Sequence, residues 1–159
     1  HANSLFMPID VALYPSSIAP LGSNWSVLRV SVLEDASGDA LGGALLRVTQ
    51  GTKVLARGLS DWRGEALVTV PGVPVTTWSD DPDAVVVNEL NATLEVIFDA
   101  AAGTRVDMVA VRGGRPPPVQ PLVNPDVLDD QRATLPHASR AIVLAAGRTQ
   151  TVTFRLALP

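Results

Sequence analysis

Gly38-Asp39-Ala40-Leu41-Gly42-Gly43-Ala44-Leu45-Leu46-Arg47-Val48 and Leu59-Ser60-Asp61-Trp62-Arg63-Gly64-Glu65-Ala66-Leu67-Val68-Thr69-Val70-Pro71-Gly72 are the two stretches that decide the fold. Each sets Gly and Asp at a reversal, where glycine tolerates positive φ and Asp hydrogen-bonds the backbone just beyond it, and each then runs into β-rich residues. A tight turn that feeds an extended run, repeated in succession, is the grammar of an antiparallel sandwich.

The neighbouring segments follow the same grammar. In residues 26–34, Leu28, Val30 and Val32 make one wholly apolar face that belongs in a core, while Val27, Arg29, Ser31 and Leu33 face the other way. Further strands are expected at residues 44–50, 54–59, 66–70, 92–99, 106–111, 141–145 and 150–158, each bounded by turn residues. The segment 106–111 is apolar at five of its six positions, so it is expected to be a strand buried on both faces. Upstream, Pro8 and Pro15 bracket residues 9–14 as a short edge strand. Strands recurring at short intervals predict an all-β sandwich.

Two stretches break the rhythm. Residues 113–137 open with Gly113-Gly114-Arg115-Pro116-Pro117-Pro118, too proline-rich for a sheet interior, and read as a long excursion between strands. Within it, Asn124-Pro125-Asp126 is a cap for a brief helix reaching Gln131. The other exception is the N-terminal extension 1–25. The remaining 26–158 is the sandwich core of a single domain.

At 159 residues the chain can bury a full core without staples, and having no cysteine it forms no disulfide. Hydrophobic residues make up 47% and charged residues only 18%, a balance that favours burial of some surface against a partner or a second copy. A net charge of −4 offers no basic footprint for nucleic acid. No apolar run is long enough to span a bilayer, and no basic leader precedes one, so the chain reads as soluble. It opens at His1 rather than Met, which reads as a processed product, an excised piece or a tag remnant.

The turns carry a family resemblance. Residues 38–44 resemble the "G-x-P-L-x-G-A" opening of carboxypeptidase regulatory-like domains, which belong to the transthyretin-like, or prealbumin-like, β-sandwiches. Residues 59–64 are similar to that family's "T-D-x-x-G" turn, Val70-Pro71-Gly72 to its "V-P-G" strand end, and residues 144–156 to its closing "aG-x-T-x-x-V-x-F-x-L" strand pair. The resemblance implies an Ig-like sandwich of about seven strands acting as an accessory module of enzymes, surface proteins or bacterial secretion and injection machines. Trp62, in place of a polar turn residue, and the 113–137 insertion depart from the pattern. Either is where this chain would have acquired its own partner.

Catalytic relatives of the fold are excluded by residue count. Hydroxyisourate hydrolases end in Tyr-Arg-Gly-Ser, whereas this chain ends Leu156-Ala157-Leu158-Pro159; intradiol dioxygenases use two tyrosines, and Tyr14 is the only one here. Isopeptide formation would have to use Lys53, the sole lysine, in a turn. Nucleophilic catalysis would have to use His1 or His137 as base, and neither sits in a nucleophile context. The reading is therefore non-enzymatic, with no cofactor. If His1 is a true N-terminus, its amine and ring together with His137 would make a copper brace, since imidazole suits Cu(II). The acidic clusters at residues 80–83 and 126–130 lack calcium-loop spacing and read as solvated turn carboxylates.

The tryptophans are the better site evidence. Trp62 between Asp61 and Arg63 is expected to be exposed, as the anchor of a protein interface or, with Trp78, as a sugar-stacking platform. Pro116, Pro117 and Pro118 supply a second contact surface. The expected role is a structural, protein-binding module of a surface, secretion-associated or phage-tail-like assembly, extracellular or periplasmic, with glycan binding as the alternative.

Overall fold

A computed structural model describes residues 22–75, 77–78, 85–86, 89–119 and 122–159, with backbone only for the two short strands between 77 and 86. His1, the edge strand expected at 9–14 and the acidic cluster at 80–83 lie outside the described residues.

The protein is an all-β sandwich. Its elements are β1 (Ser26–Glu34), β2 (Ala40–Gly42), β3 (Leu45–Gln50), β4 (Lys53–Leu59), β5 (Glu65–Val70), β6 (Thr77–Trp78), β7 (Val85–Val86), β8 (Leu90–Ile97), β9 (Thr104–Val106), α1 (Met108–Arg112), α2 (Pro125–Asp130), β10 (His137–Leu144) and β11 (Thr149–Leu156). One sheet runs β11-β1-β2-β9, with β5 also paired to β1; the other runs β10-β8-β3-β4. β6 and β7 form a separate two-stranded ribbon.

The apolar parity of each strand decides which face turns inward. Leu28, Val30 and Val32 of β1, Val68 and Val70 of β5, and Val152, Phe154 and Leu156 of β11 meet Leu46 and Val48 of β3, Leu94 and Val96 of β8, and Ile142 and Leu144 of β10 in one core. The face of β1 assigned to the core from sequence is the buried one. Val27 on its opposite face is buried too.

Three sequence expectations are corrected. First, the sandwich is not wholly antiparallel: β1 pairs with β11 in parallel, Val30 beside Val152 and Val32 beside Phe154. The first and last strands of the core are joined by the whole domain, so no hairpin forces them to run in opposite senses.

Second, residues 106–111 are not a doubly buried strand. β9 ends at Val106 and α1 follows, with no buried residue and Val109 77% exposed. The Asp107 carboxylate accepts from Val109 N at 2.9 Å and Ala110 N at 3.1 Å, and these cap bonds outweigh the β-propensity of the valines. Gly113 and Gly114 then end the helix, Gly113 N donating to Val109 O at 3.0 Å.

Third, the 113–137 excursion is only partly a loop. α2 forms where Asn124 was expected to cap it, the Asn124 side chain accepting from Asp126 N at 2.9 Å. Leu128 then reaches the outer face of the second sheet and packs on Leu45 and Ile97, with Leu59, Val123 and Leu135 around them. The last residue of the stretch, His137, already opens β10.

Around Leu128 the same face carries ions. Arg57, Arg47 and Glu95 stand in one cross-strand row. α2 lays Asp126 2.8 Å from Arg57, and Asp129 3.1 Å from Arg47 and 3.4 Å from Arg57, while Arg47 also meets Glu95 at 3.4 Å. Asp129 is thus a docking contact of the helix, not the solvated turn carboxylate expected from sequence, whereas Asp126 reaches Arg57 with its side chain still 73% exposed.

Candidate functional site

The Asp61-Trp62-Arg63 turn is held by the carboxylate of Asp61. Its Oδ1 accepts from Arg63 N at 2.9 Å and from Glu65 N at 3.0 Å, and Gly64 N donates to Asp61 O at 2.8 Å. Gly64 takes φ +72°, and a Cβ there would land on the carbonyl oxygen of Val32. The turn is therefore pressed onto β1 as well as closed on itself, Val32 N donating to Gly64 O at 2.8 Å.

Trp62 is half-buried rather than exposed. The reason is a close approach: a Cβ on Gly42 of β2 would sit 2.9 Å from Trp62 Cα and 2.5 Å from Thr104 Oγ1 of β9. The glycine lets the Trp62 backbone settle against β2 beside Thr104 of β9. Arg63 lies over the ring, its Cζ 5.8 Å from the centroid, and is pinned by Asp61, with Nε 3.0 Å and Nη2 2.9 Å from Oδ2. The Asp61 hydrogen bond, then its charge, holds the Arg63 guanidinium above its ordinary pKa, so it stays cationic.

The prolines lie near the end of β9. Pro116 and Pro118 line a cleft of about 130 Å³ with Arg105, Asp107 and Arg115. Residues 116–118 are exposed, as are Val119 at 93% and Leu122 at 60%. Arg105 is fixed beneath them by Asp39 at 2.9 Å and by the buried Glu34. The structure thus sets the Trp62 backbone near the start of β9, beside Thr104, and Pro116 and Pro118 near its end, beside Arg105 and Asp107, a juxtaposition the sequence did not foretell.

The remaining site residues are placed apart from this surface or cannot be placed. Trp78 has its backbone in β6, paired with Val85 of β7, and its side chain is outside the described residues. His137 is exposed at the start of β10, opposite Ile97, with Nδ1 2.8 Å from the Leu135 carbonyl oxygen. Among the described residues, no group of three or more His, Asp or Glu is arranged to hold a metal ion. No described helix is long and apolar enough to cross a membrane.

Sequence reasoning missed two arrangements. One is the Arg47–Asp129 docking network, whose partners are far apart in the chain. The other is Arg140, which shares the inward side of β10 with Ile142 and Leu144 and lies over Phe154, Cζ 5.7 Å from the ring centroid. An arginine at core parity in residues 138–144 was the available signal. Comparison with known proteins finds no matching family model, no matching curated protein and no matching solved structure.

Proposed function

We propose that this chain is a non-catalytic assembly module of the transthyretin-like kind, holding a protein partner or a neighbouring domain of one bacterial surface or secretion-associated assembly. The contact surface is the β9 flank, with Trp62 and Arg63 toward the start of the strand and residues 116–119 toward its end. The observation that carries the reading is where the exposed apolar side chains fall. Val109, Val119, Leu122 and Val127, four of the seven large hydrophobic residues exposed among the described ones, fall in the stretch from α1 through α2. Exposed apolar side chains concentrated in one stretch of an otherwise well-packed sandwich favour a contact face there.

A protein partner is favoured over a glycan by Arg63. Its guanidinium lies over the indole, where a sugar ring would have to stack, while an Arg-covered aromatic suits a protein interface. The test is photo-crosslinking in the native cells, with the crosslinker at Val119 and, as control, at the exposed Thr52 in the β3–β4 turn of the other sheet. A discrete adduct from Val119 alone is expected. Equal labelling at both positions, or none at Val119, refutes the assignment.

A further inference from the structure

We propose that the cleft between β10 and β11 is a second docking site, taking an extended acidic segment of a partner protein that pairs as an added strand and sets a carboxylate against Arg140. These two strands follow one another in the chain but end different sheets, so the two layers part on this side. The opening is a cleft of about 700 Å³, floored by Ala92, Ile142 and Val152. Each strand is eight residues long. Among the described residues neither strand has a neighbour beyond it, and a long terminal strand so placed presents a row of backbone donors and acceptors, the template for strand addition. One such acceptor, the Val143 carbonyl, is covered by the side-chain amide of Gln150 in place of a strand neighbour.

Arg140 decides which strand can enter. It has the inward parity of β10 and lies over Phe154 while staying exposed at the mouth of the cleft, and a charge so placed on an edge rejects neutral strands, because pairing would strip water from the cation. A carboxylate on the incoming strand turns that penalty into a charge-assisted contact. The charge pattern is complementary to such an occupant. The chain carries −4 overall, yet among the described residues no Asp or Glu lines the cleft, and none occurs in β10 or β11, while Arg140 and Arg148 both line it. Arg148 is held only loosely, 3.9 Å from Glu89 with its side chain 61% exposed. A second copy docking through the same two strands is a poor occupant for the same reason, since its β10 and β11 bring Arg140 and Arg155 and no carboxylate.

The experiment uses a fluorescein-labelled peptide of alternating Val and Glu, about eight residues to match the edge, and its Val–Gln counterpart, titrated by anisotropy against the full chain. The Glu peptide is expected to bind at least about tenfold more tightly than the Gln peptide. Arg140→Gln should erase that preference and Arg140→Glu should reverse it toward a Val–Lys peptide, with melting curves confirming that both variants fold. Trp62→Ala should change nothing, which separates this site from the β9 flank. Slowed amide exchange in β10 or β11 on adding the Glu peptide would locate the added strand. Equal affinity for the two peptides, no binding of either, or a preference that survives Arg140→Gln would overturn the proposal. So would self-association that Arg140→Glu alters, since the cleft would then belong to a second copy.

Discussion

Replacing Leu128 with alanine asks whether the excursion is part of the folded domain. Leu128 is 2% exposed and packs on Leu45 and Ile97, both 0% exposed. The truncation removes three carbons, worth about 2.4 kcal/mol at ~0.8 kcal/mol per buried methylene, and a cavity adds to that, so a loss of about 3 kcal/mol is expected. Letting α2 undock would not escape the cost. Undocking bares Leu45 and Ile97, each worth about 1.5–3 kcal/mol of burial, and breaks the Arg47–Asp129 and Arg57–Asp126 ion pairs. For a domain of this size, 3 kcal/mol corresponds to a fall in melting temperature of roughly 6–12 °C. Urea and thermal denaturation measure the loss, and trypsin cleavage after the exposed Arg132 reports the state of the excursion. A loss below about 1 kcal/mol with unchanged cleavage would show that the segment is a passenger on the sheet and that its packing contributes nothing.

Three further outcomes follow from the turn region. Ser60 is fully buried, donates to Leu41 O at 2.7 Å and accepts from Ala44 N at 2.9 Å, so Ser60→Ala leaves two buried backbone groups short of a partner. It should cost about 2–3 kcal/mol in urea melts, and a neutral result would mean water replaces the hydroxyl. Gly64→Ala combines a left-handed φ with a Cβ placed on the Val32 carbonyl, so a loss of about 3 kcal/mol or more is expected; a melting temperature within a degree or two of the parent would contradict the close approach. Trp62→Ala, at a half-buried position, should cost about 1–2 kcal/mol, less than the ~3–5 of a fully buried indole. It should also abolish the Val119 crosslink, and an intact adduct would remove Trp62 from the contact surface.

The strand parities of 26–34, the turns at 61–64 and the Asn124 cap were legible from the chain because each depends on neighbours within a few residues. A period of two sets which side chains face inward, and a capping side chain bonds backbone only two or three positions away. The misreading at 106–111 has the same local origin. Asp107 before a short apolar run, with Gly113 and Gly114 after it, was a helix signal that the valines obscured.

What depended on the tertiary structure involves residues distant in sequence. That β1 and β11 run parallel, that α2 covers Leu45 and Ile97, and that Asp129 answers Arg47 are pairings across most of the domain, and no local pattern specifies them. The half-burial of Trp62 is of this kind as well. From the turn alone an indole between two charged residues belongs outside, but Gly42, on another strand, leaves room for the turn to come down onto β2 and β9. Arg140 shows both levels at once: its inward parity is written in the alternation of β10, whereas the cleft it guards exists because the sheets separate where β10 and β11 part company.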